Sequence, residues 1–238
     1  MPTYPDTPSH DVTEVLHGEA ITDPYRWLED GDAAETRRWT ERQNALTEAH
    51  LSAVPGRERI RGRLEELLAI GVLSVPTPAR GRYFYLRREG RQDQPLLYWR
   101  QGVLGEDRVA VDPNALNPAG TTALDWYYPS QDGRLLAYGL SENGSEESVL
   151  HVLEVESGRH LPDRIPRMRA ASLAWLPDAS GFYYTRYPAP GEVPAGEEHY
   201  HRALYFHELG RDPEADPLVF RPAEKEFWPG VRDRKSVV

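Results

Sequence analysis

The chain has 238 residues, a formal net charge of −10 and no cysteine. The length suffices for a large core in one or two domains. The missing thiols exclude a disulfide scaffold, thiolate zinc sites and a cysteine nucleophile, and the acidic balance argues against a nucleic-acid partner, which requires a basic surface.

From the N-terminus onward, Met1-Pro2-Thr3-Tyr4-Pro5-Asp6 lacks a basic patch followed by an apolar run, so no secretory signal is expected. No apolar stretch approaches the ~20 residues of a membrane span, so no membrane partner is expected. Absent thiols suit a reducing compartment, and a cytoplasmic location is expected. Residues 1–30, punctuated by Pro2, Pro5, Pro8, Gly18 and Pro24, read as mostly irregular. Within them, Asp23-Pro24 starts a turn, and Tyr25, Trp27 and Leu28 are large anchors suited to pinning an extended arm to another surface. A helix follows, with Asp30 or Asp32 able to cap it and Trp39, Leu46 and Ala49 on one face. Val54-Pro55-Gly56 breaks it. A second helix carries the stripe Ile60, Leu64, Leu67 and Leu68 and ends near Gly71.

Beyond residue 75 the apolar period changes from helical to alternating. Strands are predicted at 83–87, 95–100, 108–111, 135–140, 149–155, 182–187, 203–209 and 218–220, bounded by turn residues. One phrase recurs there: Pro78-Ala79-Arg80-Gly81-Arg82-Tyr83, then Ser130-Gln131-Asp132-Gly133-Arg134-Leu135, then Pro177-Asp178-Ala179-Ser180-Gly181-Phe182. A period of about 50 residues holding a turn and several short strands is the mark of propeller blades. Each blade buries its faces only against neighbours.

Several groups invite a chemical reading. No Gly-x-Ser-x-Gly pentapeptide is present, and Ser145, in Asn143-Gly144-Ser145-Glu146-Glu147, reads as part of a polar loop rather than as a nucleophile. His199 and His201 would share a face of a strand, with His207 nearby. No further ligand stands at a recognisable spacing, so they read as rim histidines of a blade strand and no metal is expected. The acidic pairs Glu146-Glu147 and Glu197-Glu198 read as solvated loops.

The words Asp23-Pro24-Tyr25-Arg26-Trp27-Leu28-Glu29-Asp30 resemble the N-terminal signature of the prolyl oligopeptidase family of serine peptidases. Further landmarks follow in family order: Glu41-Arg42-Gln43-Asn44, Arg82-Tyr83-Phe84-Tyr85, Asp112-Pro113-Asn114, Tyr138-Gly139-Leu140-Ser141, Leu161-Pro162-Asp163, Ala174-Trp175, 204–210 and 224–231. The oligopeptidase B group shares the first motif, but the later ones favour prolyl oligopeptidase. The resemblance implies a mainly β fold with an N-terminal α-helical arm (1–72) and a partial seven-bladed β-propeller (73–232) of about three blades. The α/β-hydrolase core with its Ser-Asp-His triad is absent from the chain, so no catalytic residue carries over. Activity on short peptides after proline, no cofactor and a monomeric state are implied for the parent enzyme. Glu146, with Glu147 beside it, falls where the family places an acid that pairs with a substrate-holding arginine of the hydrolase domain. Ala170 stands where the family places a phenylalanine near the cavity entry. The tail, 233–238, departs from the family, which continues into another blade turn. It matches one reading frame of a common sequencing-library adapter, so a truncated gene model with a non-native tail is expected. The competing class is a standalone peptide- or protein-binding module, whose mark would be a closing strand or capping repeat.

Overall fold

The computed structural model describes residues 4–232. The expectation for 233–238 lies outside the described residues. Two compact units divide the chain between Leu67 and Leu68.

The first unit opens with a hairpin, β1 (Val12–Leu16) and β2 (Glu19–Asp23), paired antiparallel. Residues 12–23 are therefore more ordered than the punctuation of this stretch implies. The turn rests on His17 and Gly18, both at positive φ (53° and 89°), the backbone twist that tight hairpins need. Nearly every residue of the hairpin is exposed, so no apolar alternation announces it. The Asp23 carboxylate accepts from the Tyr25 amide at 2.8 Å and from Arg26 Nε at 3.1 Å, closing the expected Asp-Pro turn. The Tyr25 bond and the Arg26 charge hold Asp23 below the usual carboxylate range. A 3-10 turn (Arg26–Glu29) leads to α1 (Ala34–Ser52) and α2 (Arg57–Leu68). Asp30 accepts from the amides of Asp32 and Ala33 just ahead of α1, whose own N-cap is Ala33 without a side-chain bond. The carboxylate thus orders the approach rather than capping the helix. Trp27 finds its surface inside this unit: its ring meets Trp39 edge-on at 6.5 Å, and its indole N–H donates to the Pro8 carbonyl.

The second unit is three successive antiparallel sheets among the described residues. The first contains β3 (Val72–Leu73), β4 (Thr77–Ala79), β5 (Arg82–Arg88), β6 (Leu96–Gln101) and β7 (Arg108–Val111), with β3 and β4 both lying along β5. A short helix, α3 (Pro113–Leu116), follows, its amides at Asn114 and Ala115 accepted by Asp112. The second sheet runs β8 (Thr122–Pro129), β9 (Leu135–Glu142), β10 (Val149–Glu154) and β11 (Arg159–Ile165). The third runs β12 (Leu173–Trp175), β13 (Gly181–Arg186), β14 (Ala203–Glu208) and β15 (Leu218–Phe220).

Two cores join these sheets, and the period of 2 assigns residues to them. On β9, Leu136 and Tyr138 join Phe84, Leu97 and Trp99 of the first sheet, while Ala137 joins Phe182 and Tyr184 of the third. On β10, Leu153 faces the first sheet, and Leu150 and Val152 face the third. Buried aromatic donors are satisfied across the same boundaries: Trp175 Nε1 donates to the Tyr128 carbonyl at 2.9 Å, and Tyr128 Oη donates to that of Ala171. Burial pushes the Tyr138 phenol up to about 12.

The recurring phrase marks the turns β4–β5, β8–β9 and β12–β13. Gly133, in the second sheet, has φ 68°, and a Cβ there would stand 2.9 Å from the Ala79 carbonyl oxygen of the first. Glycine is thus required by both torsion and sheet-to-sheet approach.

Candidate functional site

Antiparallel alternation gathers three loops at one end of the second and third sheets: β9–β10, β11–β12 and β13–β14. The first is anchored from below. Asp125 accepts from the hydroxyls of Ser141 (3.0 Å) and Ser148 (2.5 Å), and the Ser148 carbonyl accepts from the Met168 amide of the second loop. Five non-glycine residues in these loops hold positive φ: Asn143 (54°), Glu146 (60°), Arg167 (63°), Ala170 (45°) and His201 (56°). Such torsions persist only where surrounding bonds over-determine them.

Glu146 projects from this anchored loop, its side chain 67% exposed, and its carboxylate meets Arg169 Nη2 at 2.8 Å. Glu147 lies 4.0 Å from Arg169 Nη1 and 3.5 Å from His199 Nδ1. Ala170 is held through its carbonyl, which accepts from Arg202 Nη2. Arg202 is buried, donates also to the Thr185 hydroxyl, and lies over the rings of Tyr187 (5.8 Å) and Trp228 (5.4 Å). Burial pulls its pKa below the ordinary arginine value, while the group stays charged at neutral pH.

Sequence reading missed Arg169 and Arg202. The loop bearing Arg169 joins β11 to β12, and neither strand was expected. Pro162 interrupts β11, and proline weakens a strand pattern, although an outer strand tolerates it where no partner needs the N–H. The clue was Arg167-Met168-Arg169 itself, basic residues one connection away from Glu146-Glu147.

The histidines stand differently from their expected places. His199 and His201 lie in the β13–β14 loop, not on a blade strand. His201 has φ 56° and its Nε2 meets Glu197 at 2.6 Å, while Lys225 meets the same carboxylate at 2.7 Å. Glu197 is thus a half-buried tie to the 225 region rather than a solvated loop acid, its pKa lowered by Lys225 and then His201. Among the described residues no group of three or more His, Asp or Glu is arranged to hold a metal ion. Ser145 sits in the β9–β10 turn, its hydroxyl accepting from the Glu147 amide. A separate cavity of about 530 Å³ is lined by the leading strands of all three sheets, including Thr77, Pro129, Ser130, Ser172 and Trp175. Exposed carboxylates at Glu146 and Glu147, a half-buried guanidinium at Arg169 and a groove equip this unit to bind and orient.

Consecutive antiparallel sheets of five, four and four strands, stacked face to face, define these sheets as blades of a β-propeller. The family described as prolyl oligopeptidase, N-terminal beta-propeller domain, matches residues 5–236. The chain belongs to this family and corresponds to the propeller portion of a prolyl oligopeptidase. The prolyl endopeptidase of Elizabethkingia meningoseptica is 32% identical over 219 residues, which are 91% of this chain and 30% of the relative. The Omphalotus olearius prolyl oligopeptidase ophP is 30% identical, over 94% of this chain and 33% of its own length. A solved structure from a study of two prolyl endopeptidases, concerned with inter-domain dynamics in catalysis and specificity, superposes with a TM-score of 0.84. It is 36% identical over 93% of this chain and 33% of its own. The chain thus spans about a third of the length of these relatives. Among the described residues no helix is long and apolar enough to cross a membrane.

Proposed function

We propose that this chain is the arm and gating propeller of a cytoplasmic, monomeric serine endopeptidase that cleaves short peptides after proline. The observation that carries the reading is the match of nearly the whole chain to the propeller domain of that family. On this reading residues 1–72 form the arm, 73–232 form the leading blades of a gate over the active site, and the nucleophile, base and oxyanion donors come from a hydrolase portion outside this sequence. Two features of the geometry agree with a further portion. Ile60, Leu64, Leu67 and Leu68, the stripe of α2, are between 43% and 62% exposed, an apolar face suited to a partner surface. Glu146 stands exposed on a rigidly held loop, where its carboxylate fits the fork of an arginine brought by the hydrolase portion. Arg169 then positions Glu146 until that arginine arrives.

The test is a hybrid in which residues 4–231 replace the matched segment of the Elizabethkingia meningoseptica enzyme. The hybrid is expected to cleave a fluorogenic peptide after proline, whereas the 238-residue chain alone turns over none. Glu146→Gln in the hybrid is expected to raise KM roughly tenfold, the scale of one charge-assisted hydrogen bond. A folded hybrid without activity, or turnover by the isolated chain, overturns the reading.

A further inference from the structure

His207, on β14, lies outside the loop cluster and is fully buried. Its Nδ1 stands 2.9–3.0 Å from both carboxylate oxygens of Asp216, ahead of β15, and its Nε2 stands 3.0 Å from Asp163 Oδ1 on β11. Asp216 belongs to the same blade as His207, and Asp163 to the blade before it. Both ring nitrogens therefore face carboxylates, and carboxylates only accept. A neutral imidazole has one N–H, so it would satisfy one blade and turn a lone pair towards the acid of the other. The doubly protonated ring satisfies both.

We infer that His207 is a proton-operated clasp between the second and third blades, closed while the ring carries two N–H groups and opened on the Asp163 side when one is lost. Among the described residues no substitute donor of comparable strength reaches Asp163. Its Oδ1 also accepts from the Gly210 amide, and its Oδ2, buried, has no hydrogen-bond partner. On the Asp216 side, Tyr184 Oη of β13 donates to Oδ2 at 2.7 Å, so that carboxylate keeps a partner when the ring deprotonates. The remaining charges on the packed elements are engaged elsewhere. Glu214, from the 3-10 turn Pro213–Ala215, pairs with Arg167 and Arg186, while Arg164 follows Asp163 on β11 and lies on the strand's other face. Phe182 and Tyr184 of β13 close the site with rings 5.2 and 6.4 Å from the imidazole. Burial works to lower the His207 pKa, and the bonds to Asp163 and Asp216 outweigh it, leaving it raised. For Asp163, burial works upward and the His207 and Gly210 bonds outweigh it, leaving it lowered. A histidine raised in the fold adds stability that is complete below its unfolded value of about 6.5 and fades as pH rises through the folded value. The clasp therefore opens on the alkaline side.

The experiment is nitrogen-resolved imidazole NMR on the 238-residue chain from about pH 5.5 to about 8.5, with hydrogen exchange of the Gly210 amide followed in parallel. The His207 signal, identified by its loss in His207→Asn, is expected to show both nitrogens protonated with a midpoint above about 6.5. Protection of Gly210 is expected to fall across that midpoint by more than protection on β5 and β6. Asp163→Asn, which keeps the shape and removes the charge, is expected to move the midpoint down, and it identifies the signal if His207→Asn fails to fold. A midpoint at or below the ordinary value, or protection falling equally in all blades, overturns the clasp.

Discussion

At the scale of single residues, torsion and burial decide more than chemical type. Gly133 and Gly158 have nearly the same φ, 68° and 70°, yet a Cβ at Gly133 would strike the Ala79 carbonyl and one at Gly158 would meet open space. Gly158→Ala is expected to cost about 1 kcal/mol, for the left-handed torsion alone, and Gly133→Ala about 2–3 kcal/mol. Urea unfolding of both variants checks this, and equal losses would refute the contact argument. His151 illustrates burial. Its ring stacks on Tyr138 at 5.5 Å, and burial, with the charges of Arg164 and His160 adding to it, pushes its pKa down to about 4. The unfolded chain takes up a proton near 6.5 while the fold refuses it. Stability from this group is therefore complete above about 6.5 and declines as pH falls towards 4. In His151→Leu that decline disappears, so the stability difference between the two proteins should change by about 2 kcal/mol between pH 7 and pH 4.5. Parallel curves would show that His151 is not the group responsible.

At the scale of elements, the unit of stability is the blade boundary, because each core draws side chains from two sheets. Phe182 of β13 is fully buried and touches Trp175 and Tyr184 of its own sheet within a core shared with Leu150 and Val152 of β10. Phe182→Ala is expected to cost about 3–5 kcal/mol and to lower exchange protection on β9 and β10 as well as on β13. Val109→Ala on β7, a half-exposed site, is expected to cost under about 1 kcal/mol. Loss of protection confined to the third blade would contradict a shared core. The same logic explains which strands were legible in sequence. β5, β6, β9, β10, β13 and β14 alternate cleanly or run apolar, because they sit in the middle of sheets and face cores. The hairpin of β1 and β2, the short strands β3, β4 and β12, and the outer strands β8 and β11 escaped: the hairpin is exposed on both faces, the short strands have three residues or fewer, β8 shifts register between Leu124 and Trp126, and β11 carries Pro162.

At the scale of the molecule, the glycine phrases, the two N-terminal helices and the family landmarks were readable from residue order, and with them the mainly β fold and the propeller class. These are local or periodic properties: a turn needs its glycine, a helix its stripe, a strand its alternation. Glu146 was singled out by the family resemblance alone, and its partner Arg169 was not singled out at all. Only the tertiary structure decided which charges meet. Arg169 reaches Glu146 from 23 residues away in the chain, Arg202 reaches Ala170 from 32 away, and His207 reaches Asp163 from 44 away, each across a sheet or loop boundary. No local pattern encodes such pairs, because their spacing is set by the stacking of one blade on the next. That stacking turns His207 from an apparent rim histidine into a fully buried imidazole between two acids.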